Sequence, residues 1–197
     1  EQDMSNKLFK DINDLKPVVG DGNSDSAALD NVFELLVRSG KTVPLAKLML
    51  IPDAWSKRRK TVSKAHQQLF NFLNSTIEPW DGPAGIVITD GRYAVCTLDR
   101  NGLRPSRWVL TNDDIITVAS EIGVYGYDPK NVTAKGRLGP GDMLSIDTIS
   151  GAIMNAAQID KELASANPYQ AWLNERTIKI MSSLDDESIE VEGALSK

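Results

Sequence analysis

The stretch GIVITDGRYAVCTL, residues 85–98, decides the fold class of this chain. After Ala84 the pattern changes from a helical to a strand period, and Gly85–Thr89 and Arg92–Leu98 are the two short runs that carry it. Asp90-Gly91 lies between the two runs, and Asp-Gly is a strong short-range signal for a β-hairpin. The sequence therefore predicts an antiparallel pair of strands here.

Two more hairpins are predicted downstream of this stretch. Arg107–Leu110 and Ile115–Ala119 flank the turn residues TNDD at 111–114, and Met143–Asp147 and Ala152–Met154 flank a turn near Ser150-Gly151. Gly and Pro residues between 136 and 141 interrupt the chain before the third hairpin. The middle of the chain thus predicts antiparallel sheet.

Helices are predicted on both sides of the strands. Apolar residues recur at helical spacing from Ser24 or Asp25 to Gly40, in Pro44–Leu50 and in Lys64–Ile77, and the tail turns helical again from Gln158. Segregated runs of helix, strand and helix favour an α+β fold with an antiparallel sheet. No G-x-G-x-x-G follows a strand, so a dinucleotide-binding fold is not predicted.

Composition limits the classes of function. The 197 residues carry 22 Lys+Arg against 27 Asp+Glu, a net charge of −5, which disfavours a general nucleic-acid or anionic-membrane binder. No run approaches the roughly 20 apolar residues of a membrane helix. The single cysteine, Cys96, and the single histidine, His66, exclude a disulfide framework and a multi-cysteine or histidine-rich metal site within this chain. We expect a cytosolic or stromal protein, and, because residue 1 is Glu1, a piece of a longer polypeptide.

The first candidate for chemistry is NSDSA, residues 23–27, at a helix start. Ser, Asp and Asn are the preferred N-cap residues, so Asp25 has a purely structural interpretation. Its alternative role is a carboxylate, flanked by Ser24 and Ser26, that accepts a charge-assisted hydrogen bond from a ligand ammonium group. The two roles are compatible.

The second candidate is DRNGLRPSR, residues 99–107, directly after a strand. One interpretation is a tight turn in which Asp99 pairs with an arginine for structure. The other is guanidinium recognition of a carboxylate, either internal or on a ligand. The third candidate, Ser120-Glu121, stands at a strand end, where a capping role is the default interpretation.

The remaining polar features favour structural roles. Cys96 is predicted in mid-strand, where a cysteine is usually inert. His66 is predicted early on an amphipathic helix, Trp80 is predicted to plug the core at a rigid turn, and KRRK at 57–60 is predicted to be a solvated loop. No nucleophile–base pair is evident.

Six segments, taken in order, resemble a known family. They are NSDSAALDNVFELLVRSG (23–40), LMLIPDAW (48–55), EPWDGPAGIVITDGR (78–92), LDRNGLRPSRW (98–108), ASEIGVYGYDP (119–129) and KGRLGPGDMLSID (135–147). Together they are similar to the glutamine amidotransferase domain of the glutamate synthase large chain, from about Lys7 to about Leu173. EPWDGPA joined to DRNGLRPSR is typical of glutamate synthases, whereas D-x-x-G-x-R-P followed by a Ser-Glu strand end occurs in other class II amidotransferases.

The resemblance implies an N-terminal-nucleophile hydrolase fold, an αββα sandwich of two antiparallel sheets between helical layers, of which this chain holds a part. It implies hydrolysis of glutamine to glutamate and ammonia by an N-terminal cysteine whose α-amine is the general base. Ammonia then reaches a synthase domain that holds FMN and an iron–sulfur cluster and acts on 2-oxoglutarate. Expected partners are glutamine, the rest of the large chain, and a small reductase subunit or ferredoxin.

The family's nucleophile, its substrate-carboxylate arginine and its oxyanion Asn-Gly pair correspond to positions upstream of Glu1, so the isolated piece is expected to be inactive. Residues 1–175 are expected to be the C-terminal portion of the amidotransferase domain, and 176–197 the start of the connection to the next domain. The alternative is a non-catalytic scaffold or ligand-binding module of the same fold. The resemblance assigns Asp25 to the substrate α-amino group and a supporting role to Ser24, Ser26, Asp99, Arg100, Asn101, Gly102, Arg104, Ser120 and Glu121.

Overall fold

A computed structural model describes residues 11–53 and 62–177. Five α-helices and seven strands, with two short 3-10 helices at Ile12–Leu15 and Pro129–Asn131, make up this part of the chain. In chain order the elements are α1 (Asp25–Arg38), α2 (Val43–Leu50), α3 (Lys64–Asn74), β1 (Gly85–Thr89), β2 (Tyr93–Leu98), β3 (Arg107–Thr111), β4 (Ile116–Ala119), β5 (Val132–Arg137), β6 (Met143–Asp147), β7 (Ile153–Asn155), α4 (Ala156–Ala166) and α5 (Tyr169–Arg176).

The strands form two antiparallel sheets. The first has the order β1-β2-β6-β7, and the second has the order β4-β3-β5. The predicted hairpins are all present, with Thr89 opposite Ala94 across the first turn. Asp90 closes that turn, because its carboxylate accepts hydrogen bonds from the backbone N–H groups of Arg92 and Tyr93.

Two apolar cores lie on opposite faces of the first sheet. Val95 and Met143 pack with residues of all five helices, whereas Cys96 and Leu144 pack with side chains of the second sheet, such as Trp108. Successive residues of a strand point to opposite faces, and this is why neighbours on β2 belong to different cores. The described residues thus stack helices, sheet and sheet, which confirms the predicted α+β architecture of antiparallel sheets packed beside a helical layer.

Strand β5 was not predicted from the sequence. Its residues alternate between half-buried and exposed positions, but the inward ones, Val132, Ala134 and Gly136, are mostly small, so their hydrophobic signal is weak. Gly136 lies beneath the indole of Trp108, and a Cβ there would stand 2.7 Å from Trp108 Nε1. Glycine is usually unfavourable inside a strand, but here Gly136 is the residue that lets β5 pack beside β3.

Two helix ends also differ from the prediction. Helix α3 ends at Asn74 rather than at Ile77, because the hydroxyl groups of Ser75 and Thr76 donate to carbonyls of the last turn. The C-terminal helical tail is two helices, separated at Asn167-Pro168, where proline cannot continue α4.

The KRRK segment at 57–60 lies outside the described residues. In the described part of the chain, no helix combines the length and hydrophobicity that a membrane crossing requires.

Candidate functional site

Asp25 is the first residue of α1. Ser24 caps the helix by accepting a hydrogen bond from the N–H of Ala27, and its hydroxyl lies 3.2 Å from that of Ser26. One oxygen of the Asp25 carboxylate accepts from the N–H of Ser26 at 2.7 Å. No described residue donates to the other oxygen, so that acceptor is available to a ligand.

Asp25 faces a cleft of about 1090 Å³ between α1 and β1. One wall is the face of α1 that carries Asp25 and Ser26, and the opposite wall is β1 from end to end. Apolar side chains such as Phe33 and Trp80 line it together with a few charged groups. A concave site that combines apolar walls with polar groups is the usual form of a small-molecule site. The charged residues that line it are Asp25, Asp30, Glu34, Arg38, Lys47, Asp90 and Arg104.

Asp99 directly follows β2, and it pairs with no arginine within the described residues. Its side chain is buried, and its carboxylate accepts hydrogen bonds from the backbone N–H groups of Ala84, Asn101 and Gly102 at 2.9–3.2 Å. Burial raises the pKa of Asp99, but the backbone hydrogen bonds to its carboxylate outweigh that effect and hold the pKa below its ordinary value. The predicted tight turn is therefore present, but the arginine that was expected to pair with Asp99 is replaced by backbone N–H groups.

The arginines of the same segment diverge. Arg100 pairs with Asp81 at 3.0 Å on the surface, away from the cleft. The side chain of Arg104 turns back along β1, where its Cβ and Cγ lie beside Gly85, and it lines the cleft that Asp25 faces. Of the three arginines in residues 99–107, Arg104 alone is thus placed to meet a ligand in the cleft.

A second cavity, of about 430 Å³, lies on the other side of β1, next to the second sheet. Ser120 and Glu121, which follow the end of β4, line it together with Cys96 and Arg104. Arg104 therefore borders both cavities. The structure places Ser120 and Glu121 in a compartment other than the one that Asp25 faces.

No acid–base or metal chemistry is evident in the described residues. Cys96 is buried in β2, and burial raises the pKa of its thiol, which disfavours the nucleophilic thiolate. Residues 11–53 and 62–177 contain no group of three or more His, Cys, Asp and Glu side chains that could hold a metal ion. An iron–sulfur cluster needs several thiolates, and a chain with one cysteine does not supply them.

Sequence reasoning found Asp25 and Arg104 but missed Lys47. The structure buries this lysine completely in α2, where it lines the inner wall of the cleft. The signal was present in VPLAKLML, in which a single charged residue interrupts an otherwise apolar helix. A lysine almost never lies fully buried unless it is paired, so a lone lysine in such a helix indicates an ammonium group with a specific partner.

Comparisons with known proteins agree with this arrangement. The family model described as "Glutamine amidotransferases class-II" matches residues 1–172. The chain is 45% identical over 166 residues to "Glutamate synthase [NADPH] large chain" of Azospirillum brasilense, covering 84% of this chain and 11% of that protein. It is 39% identical to the Bacillus subtilis protein of the same name, covering 98% of this chain and 12% of that protein.

A plant relative belongs to the same group. "Ferredoxin-dependent glutamate synthase 2, chloroplastic" of Arabidopsis thaliana is 39% identical over 189 residues, which cover 94% of this chain and 12% of that protein. The chain thus spans about a tenth of the length of these relatives. The match of the family model over residues 1–172 shows that this chain belongs to the class II glutamine amidotransferases.

Proposed function

We propose that this chain is the C-terminal portion of the glutaminase domain of a glutamate synthase large chain, in which Asp25 binds the α-ammonium group of glutamine. The observation that carries the proposal is the open carboxylate oxygen of Asp25 at the mouth of the cleft between α1 and β1. A charge-assisted hydrogen bond between a carboxylate and an ammonium group is short and about twice as strong as a neutral one.

The local structure suits Asp25 for this task. The N–H of Ser26 holds one carboxylate oxygen, and the Ser24 cap fixes the first turn of α1, so the second oxygen has a defined direction. A carboxylate on a rigid element loses less conformational entropy when a ligand binds. Ser26 borders the same cleft and contributes a hydroxyl to its polar rim.

The attacking thiol belongs, in this proposal, to a segment other than residues 1–197. Cys96 borders the second cavity rather than the cleft, and its buried thiol is a poor nucleophile. The piece alone is therefore proposed to have no glutaminase activity. Residues 99–104 support the cleft from the side of the sheet, and they perform no step of the reaction.

The reaction of the whole protein belongs to the proposal as well. Ammonia released from glutamine would pass to a synthase region of the large chain and combine there with 2-oxoglutarate. That region, outside residues 1–197, would hold FMN and an iron–sulfur cluster. The names of the relatives include NADPH, NADH and ferredoxin as reductants, so the choice between a small reductase subunit and ferredoxin stays open. The expected location is the cytoplasm or the plastid stroma.

Substitution of Asp25 tests the proposal in the large chain that contains this sequence. Asp25→Asn and Asp25→Ala should raise the KM for glutamine by roughly ten- to a hundredfold, since a hydrogen bond to a charged group contributes about 1.5–3 kcal/mol. Asp21→Asn is the matched control, because Asp21 is exposed just before α1 and does not line the cleft.

Steady-state glutaminase kinetics, with circular dichroism to check folding, provide the measurement. An unchanged KM and kcat in both Asp25 variants would overturn the assignment of Asp25. The alternative of a non-catalytic scaffold or ligand-binding module predicts no glutamine hydrolysis by the large chain at all. No feature of the described residues favours that alternative.

A further inference from the structure

The buried ammonium group of Lys47 is a polar feature of the core that the proposed function leaves unused. Lys47 stands in α2 among Ala46, Leu48 and Leu50, and its relative exposure is 0%. It borders the inner wall of the cleft. An apolar residue of similar length would fill this position without the cost of removing a charge from water.

The Lys47 ammonium lies against the turn at residues 139–142. Its Nζ donates to the carbonyl oxygen of Gly141 at 3.0 Å, across 94 residues of sequence. The charged groups that act on it are the carboxylates of Asp53, Asp160 and Asp142. Burial lowers the pKa of Lys47 to about 8, although the three carboxylates oppose this shift.

The turn at residues 139–142 in turn holds the loop that carries Arg104. The N–H of Gly141 donates to the carbonyl oxygen of Asp99 at 2.8 Å. Gly102, in the same loop, lies so close to Pro140 that a Cβ would stand 2.7 Å from the proline Cα. The loop is therefore fixed against the turn by a hydrogen bond and by backbone packing.

The turn at 139–142 also lies close to the residues that follow α2. A Cβ on Gly141 would stand 2.6 Å from an oxygen of Asp53. Hydrogen bonds thus connect Lys47 to Gly141 and Gly141 to Asp99, and the loop at 99–104 leads from Asp99 along the chain to Arg104, which borders the cleft. Because protein interiors are close-packed, a shift of Gly141 would also shift the residues packed against it.

We propose that Lys47 is a positioning residue of the glutamine site: through the carbonyl of Gly141 it fixes the turn at 139–142 and the loop at 99–104, and thereby the placement of Arg104 at the cleft. This inference rests on the proposed function and deepens it. Lys47 itself touches no reacting atom; its contribution is to the shape and the charge distribution of the wall opposite Asp25.

The experiment compares Lys47→Met with Lys47→Gln in the same large chain used for Asp25. Methionine keeps the length and removes both the charge and the donor, whereas glutamine keeps a donor. Lys47→Met should lower kcat/KM for glutamine by roughly ten- to a hundredfold, as small misplacements in a binding site do, mainly through KM. Lys47→Gln should lower it less, and Lys41→Met, at an exposed position, should match the wild type.

A double-mutant cycle separates positioning from a merely structural role. If Lys47 acts through Arg104, the effects of Lys47→Met and Arg104→Gln on KM are not additive, and the double variant resembles the stronger single variant. A structural role alone would lower the melting temperature and leave the kinetics of the folded enzyme unchanged. If Lys47→Met fails to fold, the same cycle is measured with Lys47→Gln.

The pH profile gives an independent readout. Wild-type KM should rise above about pH 8, where Lys47 loses its proton, and Lys47→Met should lack this component. The proposal is overturned if Lys47→Met has wild-type KM, if the cycle is additive, or if the two profiles coincide. Failure of the proposed function would instead appear as Asp25 variants with unchanged kinetics, so the two failures are distinguishable.

Discussion

Gly102 shows how one residue supports the wall of the cleft. Its φ of +61° favours glycine, and a Cβ there would lie within 3 Å of backbone atoms of Pro140. Gly102→Ala should therefore combine backbone strain of about 1–2 kcal/mol with a packing clash of about 1–3 kcal/mol. Gly91→Ala is the matched control, because Gly91 has a φ of +93° and no atom within 4 Å of the added methyl group.

Urea unfolding of the wild type, the two single variants and the double variant would measure these losses in the free energy of unfolding. We expect a clearly larger loss for Gly102→Ala than for Gly91→Ala, and additive effects, since the two sites share no contact. Equal losses would mean that Pro140 moves aside freely and that the turn at 139–142 is not a rigid support.

Lys47 makes a second residue-scale prediction, on stability. Its pKa is about 8 in the folded chain against an ordinary 10.5, so between these pH values the unfolded chain binds a proton that the folded chain does not. The free energy of unfolding therefore rises with pH in this window and is lower below it. The free energy of unfolding of the wild type, minus that of Lys47→Met, should rise with pH in this window. A difference that stays flat or falls with pH would contradict the prediction. Denaturant unfolding from pH 7 to 10.5 provides the measurement.

Helix α4 depends on a reciprocal cap at its first turn. The Asn155 side chain accepts from the N–H of Gln158, and the Gln158 side chain accepts from the N–H of Asn155, each at 3.0 Å. Asn155→Ala should cost about 0.5–2 kcal/mol of stability, the usual cost of losing such a cap. Gln158→Ala should cost less, because the Asn155 side-chain cap remains. Thermal unfolding measures both, and a neutral Asn155→Ala would show that packing of Ile159 and Leu163 alone sets the helix start.

The elements differ in how far the sequence could predict them. Helix α1 combines a cap at Ser24 with strong apolar periodicity, and hairpin β1–β2 has an Asp-Gly turn, so local signals sufficed. Strand β5 has no such local signal, since Gly136 is there for the indole of Trp108, which lies far away in sequence. Contacts of this kind are set by tertiary packing, which periodicity does not encode.

The same distinction applies to the candidate site. Asp25 belongs to a local motif at a helix start and was found, whereas the partners of Asp99 were not foreseen, because backbone N–H groups carry no sequence signature. Lys47 and Gly141 are 94 positions apart, and only the fold brings them together. The sequence thus identified which residue types matter in each segment, and the structure was needed to connect the segments.

At the scale of the whole molecule, β1 is an edge strand of the first sheet. Among the described strands it pairs with β2 only, and Val87 on it is 67% exposed. An open strand edge is a template for pairing with other chains. The isolated chain should therefore self-associate as its concentration rises, and Val87→Lys should weaken this association.

Sedimentation velocity over a range of concentrations measures this effect. Val124→Lys is the matched control, because Val124 is 68% exposed but lies in a loop outside both sheets. Equal effects of the two substitutions would show that general hydrophobicity rather than the strand edge drives association. A wild-type chain that stays monomeric would contradict the prediction as well.

If the cleft binds glutamine as proposed, its size bears on the fate of the ammonia that hydrolysis releases. Ammonia set free in a space of about 1090 Å³ beside an edge strand would mix with bulk water. A single amino acid is far too small to seal such a volume. In the proposed function, capture of ammonia therefore requires other polypeptide to cover β1, and a substitution that displaces this cover should uncouple glutamine consumption from the conversion of 2-oxoglutarate to glutamate.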